Sequence, residues 1–381
     1  MCRLMASIFK LKRTDEMLEY LPEEVLIQIL CRLPLKSILK FTCVCKLWNC
    51  IIKTPHFISA FSSNELHRYF FLRHSYYSNQ YSLRFDNKHL DHYLPLHPPF
   101  HQVDGDAFHM VGCSNGLVCL YCNSRNHFIY NHFIIWNPSI RKSLRIPEAS
   151  FFCLGLSSKK LFGFGYDSRT SDYKLLVARF LFDSTCEVTL YSLSSNYRKK
   201  IKNVACKYRQ GNRCLIDSSF VDGRFYWLIT KEKNLVLVFD LRDEMFGEIS
   251  LPECLEYVDM SYLKLKAVGE SSIAIIHQNK WDSSYESDIW VMKEYNSGAW
   301  MKLATVGKRW SGSSTVLEFR DDGEVLVQFY NTPRLASYNI NNGRIKNLMA
   351  LDSNYERVLA YRHVESLALL DKGNDIWITP R

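Results

Sequence analysis

Two hydrophobic rhythms divide the chain. Between residues 21 and 62 apolar positions recur at helical spacing; after about residue 65 they gather into short runs separated by turn residues. In residues 21–48, LPEEVLIQILCRLPLKSILKFTCVCKLW, the side chains of Val25, Leu26, Ile29, Leu30 and Leu33 fall on one helical stripe. Pro22 stands where a helix would begin, a place where a missing N–H is harmless, and Glu23 and Glu24 follow in the first turn, where the helix dipole favours negative charge. Pro34 ends this helix and opens a second over 35–40. A third fits 45–52, with Trp48 near its middle, and Pro55 opens a fourth. A unit of about 40 residues cannot bury so much apolar surface on its own. Its stripe must be given to the rest of the chain or to a partner.

The second rhythm is that of β-structure. Asn115-Gly116, Asp222-Gly223, Asp322-Gly323 and Asn342-Gly343 are dipeptides that accept the positive φ angles of tight hairpin turns. Apolar runs follow three of them closely, at 117–120, 225–228 and 325–327, and the run 235–239 is continuously apolar, as a strand buried on both faces would be. A second pattern recurs, an apolar strand, a polar turn and a short strand ending near Leu or Leu-Pro. Anchored on Asp86, Asn137, Ser192, Asp240, Met292 and Asn339, it repeats at intervals of 51, 55, 48, 52 and 47 residues. A period near 50 with two hairpins per unit is what a four-stranded propeller blade needs. The expected architecture is a small all-α unit of three to four short helices followed by an all-β domain, a six-bladed β-propeller-like ring. Closure is expected from a pairing of residues 366–370 with 69–72. The domain reading is a flexible leader over 1–17, a helical module over 18–62 and the β domain over 66–381.

Composition adds limits. Of the 381 residues, 47% are hydrophobic and 23% charged, ordinary for a globular protein, and the 14% of aromatics leans toward β-structure. The formal net charge of +9 hints at an acidic partner, yet the densest cluster, Arg198-Lys199-Lys200 with Lys202, reads as a solvated turn between strands. The 13 cysteines form no regular framework, no Asn-x-Ser/Thr acceptor occurs, and no apolar run reaches membrane-spanning length. Together these point to a reducing setting, in cytoplasm or nucleus. The first fourteen residues carry Arg3, Lys10, Lys12 and Arg13 and no acid, which reads as a leader ahead of the helices.

The helical stretch resembles the F-box, the module that docks substrate receptors onto the Skp adaptor of SCF ubiquitin ligases. The residues that carry the resemblance are Leu21-Pro22, Val25, Ile29 and Leu30, Leu33-Pro34, Lys36-Ser37, Phe41 and Val44-Cys45-Lys46-Leu47-Trp48, about one tenth of the chain. The resemblance implies adaptor binding through Leu21, Pro22, Val25, Ile29, Leu30, Leu33, Pro34, Ser37, Val44, Cys45 and Trp48. The β region is similar to the F-box-associated domain of a large plant receptor family that includes F-box/kelch-type and S-locus F-box proteins. Its carrying segments are Cys113-Ser114-Asn115-Gly116-Leu117, Trp136-Asn137-Pro138 with Arg141, Gly163-Phe164-Gly165-Tyr166-Asp167, Asp172-Tyr173-Lys174, Asp288-Ile289-Trp290-Val291-Met292 and Trp300-Met301-Lys302-Leu303. Where that family usually has threonine after the Asn-Pro, this chain has Ser139, and regular kelch signatures are not evident. The implied function is a substrate-recognition subunit that binds the Skp adaptor, and through it cullin, and holds an unidentified protein target for ubiquitination.

Residues that look chemical have plainer readings. Gly163-Phe164-Gly165 lacks the third glycine and following helix of a phosphate loop and reads as a tight strand turn. Cys119 and Cys122 form a CxxC inside an expected strand, without a second pair at zinc spacing. His127 and His132 sit among aromatics in an expected loop, and no HExxH, GxSxG or spaced acid pair occurs. The expectation is therefore no catalytic, cofactor or metal site. An enzyme using a propeller channel, a nucleic-acid-binding protein and an S-locus receptor for S-RNases stand as alternatives. Target choice is expected in the loop tips 73–79, 122–131 and 279–286.

Overall fold

The structure is a computed structural model that describes residues 22–63, 68–74, 80–98, 106–124, 131–148, 151, 160–180, 185–205, 218–281, 284–292, 298–307, 313–351, 357–372 and 376–377. Leu21, the leader 1–17, His127 and the centres of the three expected target loops lie outside the described residues. The chain divides into two compact units, residues 1–67 and residues 68–381.

The first unit is four short helices, α1 (Glu23–Cys31), α2 (Leu35–Phe41), α3 (Lys46–Ile52) and α4 (Pro55–Ser62). The second is six blades of antiparallel strands. β1 (Arg68–Arg73), β2 (Tyr81–Phe85) and β3 (His92–Leu96) begin the first blade. The second is β4 (Asp106–Ser114), β5 (Leu117–Ser124), β6 (His132–Asn137) and β7 (Lys142–Pro147). The third is β8 (Lys160–Asp167), β9 (Asp172–Phe180), β10 (Thr185–Ser192) and β11 (Tyr197–Ala205), and the fourth β12 (Ser219–Val221), β13 (Arg224–Thr230), β14 (Asn234–Asp240) and β15 (Met245–Ser250). The fifth is β16 (Leu263–Val268), β17 (Ser272–Trp281), β18 (Ser284–Met292) and β19 (Trp300–Val306), and the sixth β20 (Ser314–Phe319), β21 (Glu324–Phe329), β22 (Arg334–Asn339) and β23 (Ile345–Ala350).

The ring closes by strand exchange between the two ends of the propeller. β24 (Leu359–Val364) supplies the innermost strand of the first blade, pairing antiparallel with β1 from Arg68↔Val364 to Arg73↔Leu359. Closure therefore occurs as expected, but with a strand seven residues earlier. Residues 366–370 form a buried turn instead, because Asn137 Nδ2 donates to the Ser366 and Ala368 carbonyls, both at 2.8 Å. A last short strand, β25 (Ile376–Trp377), pairs in parallel outside β7.

No blade covers its own faces; the core is made between blades. Phe225, Trp227, Leu237 and Phe239 of the fourth blade meet Leu161, Leu176 and Val188 of the third, and equivalent clusters join the first to the second, fourth to fifth, fifth to sixth and sixth to first. β14 is buried on both faces as its sequence implies. Gly163 and Gly165 correct the turn reading. They lie inside β8, and a Cβ on Gly163 would sit 2.7 Å from the Phe225 ring and one on Gly165 2.3 Å from that of Phe220. Their role is to let the neighbouring blade's aromatics approach the backbone.

The six repeats are the outer hairpins of the six blades. Three of the anchors share one turn chemistry. Oδ1 of Asn137, Asp240 and Asn339 accepts the N–H two residues on, from Ser139, Arg242 and Asn341, at 3.0, 2.8 and 3.1 Å. The fourth residue after the anchor is left-handed, with φ of 56° at Arg141, 52° at Glu244 and 71° at Gly343, and the same holds for Leu90 after Asp86 and Asn196 after Ser192. The first-to-second and third-to-fourth strand turns thus lie at one end of the ring, whereas the second-to-third and blade-to-blade connections lie at the other.

Candidate functional site

The helices start where the sequence says. Pro22 and Pro34 sit immediately before α1 and α2 with extended backbones, φ/ψ −53°/141° and −59°/145°, as a proline at a helix cap prefers. Cys45 Sγ accepts the Trp48 N–H at 3.5 Å to cap α3, and Thr54 Oγ1 accepts that of Phe57 at 3.1 Å to cap α4, with Pro55 next in line. α1 packs on α4, α2 on α3, and α3 on α4. The buried residues are Leu26, Ile27, Leu30 and Cys31 from α1, Leu35, Ile38 and Phe41 from α2, Ile51 and Ile52 from α3, and Phe57 and Phe61 from α4.

α1 therefore carries two adjacent apolar stripes. One, through residues 26, 27, 30 and 31, is buried. The other runs through Val25, Ile29 and Leu33 at four-residue spacing and remains outside, with Val25 38% and Ile29 46% exposed and Leu33 half-buried. Beyond α2, Val44 is 53% and Leu47 49% exposed. Trp48 is half-buried against the edge of Phe41, ring centroids 4.8 Å apart, and its indole N–H has no hydrogen-bond partner among the described residues. Pro22 and Pro34 are exposed; Ser37 and Cys45 are half-buried. Leu30 departs from the expected set. At 1% exposure it belongs to the core and not to the exposed stripe. Covering four half-exposed aliphatic chains stabilises a complex by several kcal/mol, at about 1 kcal/mol each. In the same unit Arg32, Lys36, Lys40, Lys46 and Lys53 are exposed, and Glu23 and Glu24 are the only acids within 22–63.

The β ring's inner strands are tied to one another. Lys266 Nζ reaches Glu318 Oε2 and the Ala360 carbonyl, each at 3.2 Å, and lies 4.8 Å from the Tyr361 ring centre; Lys264 Nζ donates to Thr315 Oγ1 at 2.7 Å. Ser218 Oγ donates to the Val111 carbonyl at 2.7 Å. One constellation has the residue types of a nucleophile and base. His363 Nδ1 is 3.6 Å from Cys113 Sγ, and its Nε2 3.3 Å from Ser139 Oγ. Burial pushes the Cys113 thiol up to about 12 and the His363 imidazole down to about 3, so at neutral pH the group is an uncharged contact between β24 and the second blade. Cys119 and Cys122 are both buried in β5 and, three residues apart on a strand, point to opposite faces. His132 lies in β6 and is buried, in a strand where a loop was expected. Among the described residues no group of three His, Cys, Asp or Glu is placed to hold a metal ion, and no helix is long and apolar enough to cross a membrane.

Comparison with known proteins agrees with both halves of this geometry. The F-box associated beta propeller domain matches residues 68–370, and the F-box domain matches residues 18–59. The chain belongs to the F-box-associated β-propeller family. Similar proteins from Arabidopsis thaliana include F-box protein CPR1, 28% identical with 93% of this chain and 90% of that protein covered, and F-box/kelch-repeat protein At3g23880, 24% identical with 85% and 89% covered. Among solved structures, the Nidogen/Laminin complex aligns over 78% of this chain and 99% of the other at 6% identity and a TM-score of 0.44.

Two features of this F-box are not legible in its sequence pattern. Leu47 is as exposed as Ile29 but falls outside the expected contact set, since a single leucine in a seven-residue helix has no periodic partner to mark it. Ile27 and Cys31 are core although they lie off the expected stripe; only the position of α4 against α1 decides that.

Proposed function

We propose that this F-box protein is the target-recognition subunit of an SCF-type ubiquitin ligase in the cytoplasm or nucleus. Its F-box binds the Skp adaptor, and through it cullin, with Pro22, Val25, Ile29, Leu33, Pro34, Ser37, Val44, Cys45, Leu47 and Trp48, and with Leu21 just ahead of them. The propeller holds a protein target. The chain makes and breaks no bond itself; it raises the concentration of target lysines near a conjugating enzyme carried by the same assembly. One observation carries the reading: beside a filled core, the F-box keeps Val25, Ile29, Val44 and Leu47 uncovered in a unit whose exposed charges are mostly basic. Such a patch is what a partner helix with apolar and acidic side chains would cover.

The test is to delete residues 1–60 and measure capture of purified Skp adaptor. The full chain is expected to retain the adaptor and the truncated chain to lose it while keeping the β-rich circular dichroism of the propeller. Undiminished capture by the truncated chain would overturn the proposal.

A further inference from the structure

Three cysteines crowd one stretch of the F-box. Cys43, Cys45 and Cys50 fall within eight residues, and all three are free thiols. Cys45 is half-buried, and its Sγ is occupied in capping α3. Cys43 and Cys50 are exposed. Each adjoins an uncovered apolar side chain. Cys43 precedes Val44, and Cys50 lies one helical turn after Leu47 on α3.

Charge sets Cys50 apart. On a helix the neighbours of a residue are those three and four places away. For Cys50 these include Lys46 and Lys53, both exposed, and Lys53 continues the helical backbone at the end of α3 with φ/ψ −89°/−5°. No Asp or Glu occurs between residues 25 and 63. Cys254 on the propeller is also exposed, but its surroundings are the reverse. The connection 251–262 carries Glu253, Glu256 and Asp259 without a Lys or Arg, and Lys233, which reaches it, is held by Glu256 at 2.5 Å. The other described thiols are less accessible. Cys31, Cys119, Cys122 and Cys186 are buried and Cys113 half-buried, and burial pushes the Cys31 thiol up to about 11, where little thiolate forms at neutral pH. An exposed thiol between two ammonium groups suits an anionic thiol reagent. Glutathione disulfide is one, since it carries more carboxylates than ammonium groups.

We propose that Cys50, with Cys43 as a second position, forms a mixed disulfide with glutathione that closes the docking face of the F-box. The closing of that face rests on the adaptor reading above; the thiol chemistry does not. The Cys50 thiol gives its proton to solvent, and the thiolate attacks one sulfur of glutathione disulfide. A new S–S bond forms as the old one breaks, and the second glutathione leaves as a thiolate that takes up a proton. Cys50 is oxidised and the departing glutathione reduced. The tripeptide left on Cys50 stands one helical turn from Leu47 and sets carboxylates beside Lys46 and Lys53. It therefore opposes a partner that would cover Leu47 with apolar and acidic side chains. A second thiol reverses the step by the same exchange.

The test treats the full chain with glutathione disulfide and maps the adducts by peptide mass spectrometry. Glutathione is expected on Cys50 at least about tenfold faster than on Cys254 at low salt, with the ratio falling as salt is raised. Neutral iodoacetamide should show no such salt-dependent preference, and K46E/K53E should lose it toward glutathione disulfide. The glutathione-loaded chain is expected to bind Skp adaptor at least about tenfold more weakly and to recover on reduction with dithiothreitol. C43S/C50S should capture adaptor with or without the disulfide. Adaptor bound beforehand should slow modification of Cys50 and leave that of Cys254 unchanged. Equal rates of glutathione addition at Cys50 and Cys254, or full adaptor capture by a chain loaded at Cys43 and Cys50, would overturn the proposal. If the reduced chain captures no adaptor, the receptor reading falls, and the ratio of Cys50 to Cys254 modification still decides the thiol site.

Discussion

Nε of Arg320 donates to Oδ1 of Asp86 at 3.0 Å across 234 residues of sequence. The guanidinium also reaches Ser337 Oγ and the Asn87 carbonyl, both at 2.8 Å, and its side chain is only 3% exposed. Arg320 ends the inner strand of the sixth blade and Asp86 begins the outer turn of the first, so the pair latches the ring beside the β1–β24 seam. A second ion pair, Asp321 with Arg68 at 3.4 Å, joins the same two blades.

The latch predicts a large loss on breaking it. Asp86→Ala removes the nearest carboxylate from a buried guanidinium, leaving Asp322 and Glu324 at 3.9 Å, and is expected to lower stability by up to about 3–5 kcal/mol. Lys199→Ala removes the exposed Lys199–Glu244 pair and is expected to change stability by about 0–1 kcal/mol. Urea melts of the two variants provide the comparison; equal midpoints would show that the latch contributes nothing beyond a surface pair.

Acid sensitivity should begin with His363. Its folded pKa is depressed from 6.5 to about 3 by burial. Between those values the unfolded chain binds a proton that the folded chain excludes, so this contribution is fully present above pH 6.5 and is lost as pH falls. The expected slope is about 1.4 kcal/mol per pH unit. Thermal melts from pH 7 downward should show His363→Gln losing less stability over this window than the unmodified chain. Parallel curves would refute it.

Neighbouring positions on α1 should respond in opposite ways. Ile29→Asp is expected to leave the melting profile unchanged and to weaken adaptor capture severely, because it would bury an unpaired carboxylate in the complex at about 2–7 kcal/mol. Leu30→Ala is expected to destabilise the helical unit by about 2–5 kcal/mol, read as faster hydrogen exchange across residues 22–63. Loss of thermal stability in the Ile29 variant with adaptor capture intact would reverse the assignment of the two stripes.

Gly165→Ala is expected to destabilise the propeller by about 1–3 kcal/mol through overpacking, since the new methyl group would meet the Phe220 ring. An unchanged denaturation midpoint would mean that the blades separate more freely than their packing implies.

Much of this was written where local chemistry decides. Pro22, Pro34 and Pro55 mark helix starts, and the Asx-type turns at Asn137, Asp240 and Asn339 fix the blade period because each needs a side-chain acceptor and a left-handed residue four places on. What remained hidden depends on distant neighbours. The run 366–370 is more apolar than Leu359–Val364 and yet is not the closing strand; its burial is arranged by Asn137, far off in sequence. Likewise, Gly163 and Gly165 signal a turn by composition and a strand only once Phe220 and Phe225 arrive from the next blade. In the F-box the two stripes of α1 touch on the helical surface, so periodicity names both and separates neither.

The β1–β24 seam also sets an order of events during synthesis. Arg73 pairs with Leu359, which the ribosome adds 286 residues later. At about 5–20 residues per second, the edge of β1 waits roughly 15 to 60 s for its partner strand. The F-box has by then left the ribosome, with few long-range contacts to await. A nascent or prematurely terminated chain therefore presents an F-box before it has a finished propeller. Until β24 arrives, that chain carries one unpaired strand edge along Tyr69, Phe70, Phe71 and Leu72, the kind of edge that chaperones hold and proteases remove.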